Sequence, residues 1–176
     1  MPAVLRFVGI VNAAVWFGAA IFLTFAAGPA FFSAEMLDLL PRYHAGRAAQ
    51  IVLARYFILQ QVCGGIAVAH LLLEWLYAGR QPGRFGLWLL SLMVAVGLAG
   101  GLWLQPKLKH LHAVKYAPDT TTAQKAEAGK AFGAWHGVSQ TANLLLTAGV
   151  LLYFWRTVNA SAVPRLAKIA RGAARV

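Results

Sequence analysis

The stretch FGAWHGVSQTANLLLTAGVLLYFW (residues 132–155) decides the fold, because its apolar length suits a helix that crosses a membrane. Such a helix needs about 20 predominantly apolar residues. The same stretch carries polar side chains at regular intervals, namely His136, Ser139, Gln140, Asn143 and Thr147. Polar groups inside a span are costly and usually face the interior of a helix bundle. The stretch therefore predicts one helix of a membrane-embedded bundle with a partly polar interior.

Three further segments of the chain have the same apolar character. The four segments cover residues 7–32, 48–77, 85–105 and 131–155, and each is long enough to cross the hydrocarbon core. Residues of the AVILMFWYC set make up 60% of the 176, and only 12% are charged, which is too apolar for a soluble domain of this size. We therefore predict an all-α, polytopic membrane protein: a bundle of four transmembrane helices in one domain, residues 1–176. The first apolar run is too long for a signal peptide, so we expect an uncleaved anchor.

Basic residues lie mainly between the apolar segments and near the C-terminus. Lys and Arg number 16 against five Asp and Glu, which gives a formal net charge of +11. This placement suits anionic lipid headgroups, and the chain carries no nucleic-acid-binding motif. Residues 156–176 read as a basic cytoplasmic tail, in which Arg165, Lys168, Arg171 and Arg175 follow steps of three and four residues. We expect the lipid bilayer as a partner, and no nucleic acid.

The distribution of Lys and Arg also predicts the orientation. With both termini in the cytoplasm, eight basic residues lie on the cytoplasmic side of the spans and seven on the other side. Cytoplasmic connections usually hold the excess of positive charge. The margin is one residue, and it favours a multi-pass protein of the inner (plasma) membrane with both termini inside.

The longest predicted connection covers residues 106–130. Asp119 or Thr120 is a candidate helix start, and Thr121 with Gln124 three positions later forms the pattern of a capping box. The fourth helix is therefore expected to begin in water and to enter the membrane near Phe132.

Polar side chains at membrane depth are the first candidates for a functional site. On the fourth helix, His136, Gln140, Asn143 and Thr147 follow steps of four, three and four residues, so they share one face with Ser139 beside them. Two interpretations stay open for this stripe: hydrogen bonds that hold neighbouring helices together, or contacts to a substrate or cofactor. The second segment adds Arg55, whose long side chain could also extend to the interface, and the first adds Trp16.

Histidines raise the question of a cofactor. His70 and His136 are expected at different depths, which disfavours a haem b held between them, whereas a haem bound by one of them, His70 for example, stays open. His110 and His112 in KHLH could bind copper or zinc. Alternating residues share a face only in an extended stretch, and the neighbouring lysines repel cations, so we favour a solvated loop there.

The sequence shows no constellation typical of a soluble enzyme. It contains no nucleophile–base pattern, no paired carboxylates and no phosphate-binding loop, so catalysis is not expected. The single cysteine, Cys63, lies inside an apolar segment, where it rules out an intrachain disulfide and is expected to be a small buried residue.

Two stretches carry a family resemblance. VWFGAAIFLTFAAGPAFF (15–32) resembles the first helix of the transmembrane protein 205-like family, and FGAWHGVSQTANLL (132–145) resembles its last-helix signature. The matching positions are Trp16, Gly18, Pro29, Phe32, Phe132, His136, Ser139 and Asn143. The resemblance implies a four-helix membrane protein of unknown function, distantly similar to CopD-type copper proteins and HemJ-type haem-binding oxidases. In the HemJ type the haem histidine lies in the first helix, where this chain has none.

Three functional hypotheses follow from the sequence. The first is a non-enzymatic membrane protein whose polar interior binds or passes a small solute or metal species. The second is a structural or accessory subunit of a larger membrane complex, or one that self-associates. The third is a b-type haem-binding membrane protein.

Overall fold

The computed structural model describes residues 2–78 and 83–159, and every regular element within them is helical. The elements are α1 (Pro2–Phe22, continued by a π-helical turn at Leu23–Ala27 and a last turn at Gly28–Ala30), α2 (Ala34–Leu39), α3 (Arg42–Ala78), α4 (Arg84–Ala99, continued by a π-helical turn at Gly100–Leu104 and by Gln105–Tyr116) and α5 (Thr122–Asn159). Apart from Arg156 to Asn159, the predicted basic tail lies outside the described residues.

Four of these helices, all except the short α2, are long and apolar enough to cross a membrane. They contain the four predicted apolar segments, except that α1 ends at Ala30, two residues before the predicted end. Many large apolar side chains point away from the bundle, as Trp88 (77% exposed) and Leu102 (70% exposed) do. Outward apolar side chains suit a lipid environment, so the predicted all-α, membrane-embedded fold is confirmed.

The four long helices form a closed bundle. α1 packs against α3 and α5, and α4 packs against the same two helices. Consecutive long helices are joined by short connections and are therefore antiparallel. As a result, one half of the bundle contains the start of α1 and the end of α5, and the other half contains the connections from α1 to α3 and from α4 to α5.

The first of these halves, here called the packed half, comprises residues 2–22, 61–78, 84–95 and 146–159. Its core holds Ala13, Trp16, Cys63, Ala67, Leu90, Met93, Leu146, Val150 and Tyr153, all of them buried. Small residues bring the helix backbones close together. The Trp16 side chain fills the space between the helices, and its ring packs edge-on against the Tyr153 ring with centroids 6.4 Å apart. This half is well packed.

The second half, here called the open half, comprises residues 23–60 and 96–145. Both of its π-helical turns precede a proline by two positions, Pro29 in α1 and Pro106 in α4. A proline lacks the N–H group and its ring clashes with the carbonyl four residues earlier, which is Phe25 or Leu102 here. Both carbonyls lie within the π-helical turns, whose wider winding accommodates the prolines and keeps each helix continuous.

This accommodation corrects the prediction of a long connection at residues 106–130. α4 continues through Pro106 to Tyr116, and α5 already begins at Thr122, so only residues 117–121 connect them. The predicted capping box is present at the start of α5. The Thr121 backbone N–H donates to Gln124 Oε1 (2.9 Å), and the Gln124 N–H donates to Thr121 Oγ1 (3.3 Å).

Candidate functional site

A cavity of about 510 Å³ lies in the open half, bordered at one end by Leu146 of the packed half, and is partly open to its surroundings. All four long helices contribute to its wall, as do both π-helical turns, through Leu23 and Thr24 in α1 and through Gly100 and Leu104 in α4. Pockets for small molecules usually measure about 300–1,000 Å³ and are mainly apolar with a few polar groups. The cavity has the size and the position of a binding site between the helices of a bundle.

The polar stripe of α5 forms one side of this wall. His136, Ser139, Gln140 and Asn143 all line the cavity, as the shared helical face predicts. Thr147, the last member of the stripe, is buried outside the lining and donates to the Asn143 carbonyl of its own helix (2.8 Å). Four of the five stripe residues thus line the same cavity.

Hydrogen bonds connect the stripe to two neighbouring helices. Asn143 Nδ2 donates to Thr24 Oγ1 of α1 (2.7 Å), and the hydroxyl of Tyr56 in α3 donates to Asn143 Oδ1 (3.2 Å). Gln60 Nε2 in turn donates to the Tyr56 hydroxyl oxygen (2.6 Å). Asn143 therefore joins α1, α3 and α5 through one chain of side chains.

The direction of this chain is determined at one end. The Thr24 hydroxyl lies 2.6 Å from the Ala20 carbonyl, which can only accept, so Thr24 must donate there. Asn143 must then present its NH₂ group to Thr24 and its oxygen to Tyr56. Because the Tyr56 proton is used in that bond, Gln60 must donate through Nε2.

Gln60 Oε1 is left as an acceptor at the far end of the chain. The Gln60 side chain lines the cavity and is only 4% exposed, and Oε1 has no hydrogen-bond partner among the described residues. It lies opposite Gly97 of α4, 3.7 Å from the position that a Cβ atom would take there. A buried polar atom without a partner is rare and costly in a native structure.

The cavity-facing side chains of His136, Ser139 and Gln140 differ from Asn143 in their contacts. No side-chain hydrogen bond joins any of the three to another described residue, although the His136 ring stacks on Phe132 one turn earlier, with centroids 5.6 Å apart. Their polar groups are therefore available to a bound molecule.

Two predicted candidates lie away from the cavity. Trp16 is 1% exposed in the core of the packed half, and its indole N–H has no acceptor among the described residues. Arg55 is exposed on α3 and does not line the cavity, although its neighbour Tyr56 belongs to the hydrogen-bonded chain.

The histidines considered for cofactors occupy separate places. His70 lies in the packed half against Gly9 of α1, where an added Cβ would approach His70 Nε2 to 2.5 Å. His70 and His136 thus lie in different halves of the bundle, as their expected depths indicate.

His110 and His112 belong to α4, not to a solvated loop. Residues two positions apart on a helix point to different sides, so His110 is exposed whereas His112 is buried. The His112 ring packs between Tyr43, Tyr116 and Phe132. In residues 2–78 and 83–159, no group of three His, Cys, Asp or Glu side chains is arranged to hold a metal ion.

Sequence reasoning missed two members of the site, Thr24 and Tyr56. Gln60 was visible as a polar residue within the second apolar segment, but nothing in the sequence indicated its partners. The two prolines were also a usable signal, because a proline inside a helical pattern marks a local distortion.

Comparison with known protein families gives a match over more than half of the chain. Residues 11–117 match the family described as a domain of unknown function, DUF4149. The chain belongs to this family. The DUF4149 region ends one residue after α4, so it supplies Thr24, Tyr56 and Gln60 to the site, whereas Asn143 comes from α5, outside the match. No curated protein and no solved structure matches the chain significantly.

Proposed function

We propose that this protein binds a small, mainly apolar molecule from the bilayer in the cavity of the open half, without transforming it chemically. The observation that carries the proposal is a cavity of about 510 Å³ with a polar stripe on an otherwise largely apolar wall. An apolar body can contact Leu53, Phe57 and Leu146, while a polar group meets the stripe. Sites of this kind obtain affinity from apolar burial and orientation from a few polar groups.

The charges of the wall favour a neutral molecule over a metal ion. The described lining residues include no Asp, Glu, Lys or Arg, and His136 is the ionisable member among them. Bringing an ion into such surroundings costs its hydration without a paired charge in return. Of the two cargoes considered from the sequence, the solute is therefore the one that the cavity supports.

The test fills the cavity from α5. Ala142 lines the cavity, whereas Ala148 is exposed and does not, so Ala142→Trp and Ala148→Trp form a matched pair on one helix. The full-length protein in mild detergent is titrated with the neutral fluorophore N-phenyl-1-naphthylamine. We expect saturable binding to the wild type and to Ala148→Trp, and its loss in Ala142→Trp, with circular dichroism showing that all three are equally helical.

Two results would contradict the proposal. Equal binding by Ala142→Trp and the wild type would place the fluorophore outside the cavity. A wild type that binds no fluorophore, and that always elutes within a larger membrane assembly, would favour the accessory-subunit hypothesis. Ala142→Leu is a milder filling variant if the tryptophan prevents folding.

The relationship to the transmembrane protein 205-like family is also part of this proposal. The resemblance to the transmembrane protein 205-like family rests on residues in both halves of the bundle, Trp16 in the core and His136, Ser139 and Asn143 at the cavity. If the resemblance reflects function, relatives would share the cavity side chains. The measurement is whether a relative with His, Ser and Asn at these positions binds the same fluorophore.

We also propose that both termini lie in the cytoplasm, so that the open half lies toward the opposite side of the inner membrane. The test introduces one cysteine, Thr120→Cys, in the connection between α4 and α5 of a Cys63→Ala protein. A membrane-impermeant maleimide added to intact cells should label it. Labelling only after the cytoplasmic side is exposed would reverse the orientation.

A further inference from the structure

The chain of hydrogen bonds in the open half limits which molecules fit the cavity. Its bonds all donate in one direction, from Gln60 through Tyr56 and Asn143 to Thr24 and the Ala20 carbonyl. The direction is set by the carbonyl, so reversing the Gln60 amide would bring two acceptors together or leave Asn143 Oδ1 without its donor. The free end of the chain is therefore an acceptor, Gln60 Oε1.

The surroundings of this oxygen restrict the donor further. The oxygen is shielded in this structure, and the described residues around it, Gly97 included, provide no donor. A hydroxyl group is a small neutral donor, so it reaches the oxygen with the least displacement of Gln60 and its neighbours. An ammonium group would be buried without a carboxylate among the described lining residues, which is strongly unfavourable.

We propose that the molecule bound in the cavity is a neutral alcohol or phenol whose hydroxyl group donates a hydrogen bond to Gln60 Oε1, an inference that rests on the proposed function. The bond completes a chain that connects α1, α3 and α5, and the apolar remainder of the molecule occupies the wall beside Phe57 and Leu146. Binding is thus selective for a donor group rather than for apolar volume alone.

The test compares two probes that differ only in this donor. 4-Hexylphenol carries a hydroxyl group, and 4-hexylanisole carries a methyl ether that can only accept. Each displaces N-phenyl-1-naphthylamine from the full-length protein in detergent, at matched mole fractions in the micelle. We expect the phenol to bind about tenfold more tightly, because a buried acceptor is satisfied only by the phenol.

Two variants locate the selectivity at Gln60. Gln60→Met keeps the length of the side chain and removes the acceptor, so it should lose the preference for the phenol. Gln61→Met is the matched control, because Gln61 is exposed and does not line the cavity, and it should keep the preference. Gly97→Ser provides an independent variant in case Gln60→Met does not fold: its hydroxyl can reach Oε1 from the Cβ position 3.7 Å away and should also remove the preference.

The outcomes separate the two proposals. Equal binding of both probes to the wild type would overturn the hydroxyl inference and leave a small-molecule site in place. A preference that survives in both Gln60→Met and Gly97→Ser would also overturn the inference, since the donor would then be recognised elsewhere. Failure of both probes and of the fluorophore to bind would overturn the proposed function itself.

Discussion

The packed half and the open half belong to the same four helices, yet side chains fill the first and the second encloses a cavity. In the packed half, Ala13 and Ala67 are fully buried and bring the helices together around Trp16. In the open half, a π-helical turn widens α1 and α4 at the level of the cavity, and Gly100 forms part of its wall. The comparison indicates that one half provides the stability of the bundle and the other half provides its binding space.

The largest expected loss of stability follows from a substitution in the packed half. Trp16→Ala should destabilise the protein by about 3–5 kcal/mol, because it removes a large side chain that is 1% exposed and leaves a void among rigid neighbours. Trp88→Ala is the control, since Trp88 is 77% exposed on α4. The measurement is reversible unfolding in mixed micelles of increasing denaturing detergent. Equal losses for the two variants would show that the packed half is not the stabilising half.

The next effect tests the close approach of α1 and α3. Gly9→Ala should cost about 1–3 kcal/mol, because its Cβ would lie 2.5 Å from His70 Nε2 and the imidazole would have to move. Gly18→Ala on the same helix has nothing within 4 Å and should be neutral or slightly stabilising. Both are measured by the same unfolding assay, and a neutral Gly9→Ala would mean that His70 can move at little cost.

Sequence patterns predict some of these structural features and not others. The apolar lengths predicted the four helices. The spacing on α5 predicted a shared face, and four residues of that face, His136, Ser139, Gln140 and Asn143, line the cavity. Small residues four positions apart, a spacing that allows helices to approach closely, are only partly informative. Gly9 and Ala13 are buried, but Gly65 and Ala69 have the same spacing and are exposed. The spacing indicates that a close approach is possible, but it does not indicate which face of a helix packs against a neighbouring helix.

The cavity itself depends on features that local rules do not provide. A proline normally marks a helix boundary, and the predicted third segment ends at residue 105, directly before Pro106, whereas the structure widens the helix and continues it to Tyr116. The partners of Asn143 come from two other helices, Thr24 lying 119 positions away in the sequence. Such pairs depend on how the helices are rotated against one another, and a single sequence does not specify that.

The third effect tests whether the stripe holds the helices together in the open half. Asn143→Leu should cost about 1–2 kcal/mol, because it breaks the bonds to Thr24 and Tyr56 and leaves the Tyr56 hydroxyl without its acceptor. Gln140→Leu removes an amide of the same stripe with no side-chain bond to another described residue and should change the stability by less than about 0.5 kcal/mol. If both variants lose much stability, the whole stripe has a structural role, and the proposal that it contacts a bound molecule is weakened.

The smallest effect distinguishes an empty space from a missing hydrogen bond beside Gln60. Gly97→Ala and Gly97→Ser both add a Cβ at ordinary contact distance, 3.7 Å from Gln60 Oε1, so they cost similar amounts of packing. Only serine can donate to that oxygen. In protein freed of bound molecules, Gly97→Ser should therefore be more stable than Gly97→Ala by about 0.5–1 kcal/mol. The difference should disappear when both variants also carry Gln60→Met, because the acceptor is then absent. A difference that persists in the Gln60→Met background would assign it to serine bonding within its own helix, and the acceptor at the end of the chain would then be satisfied in another way.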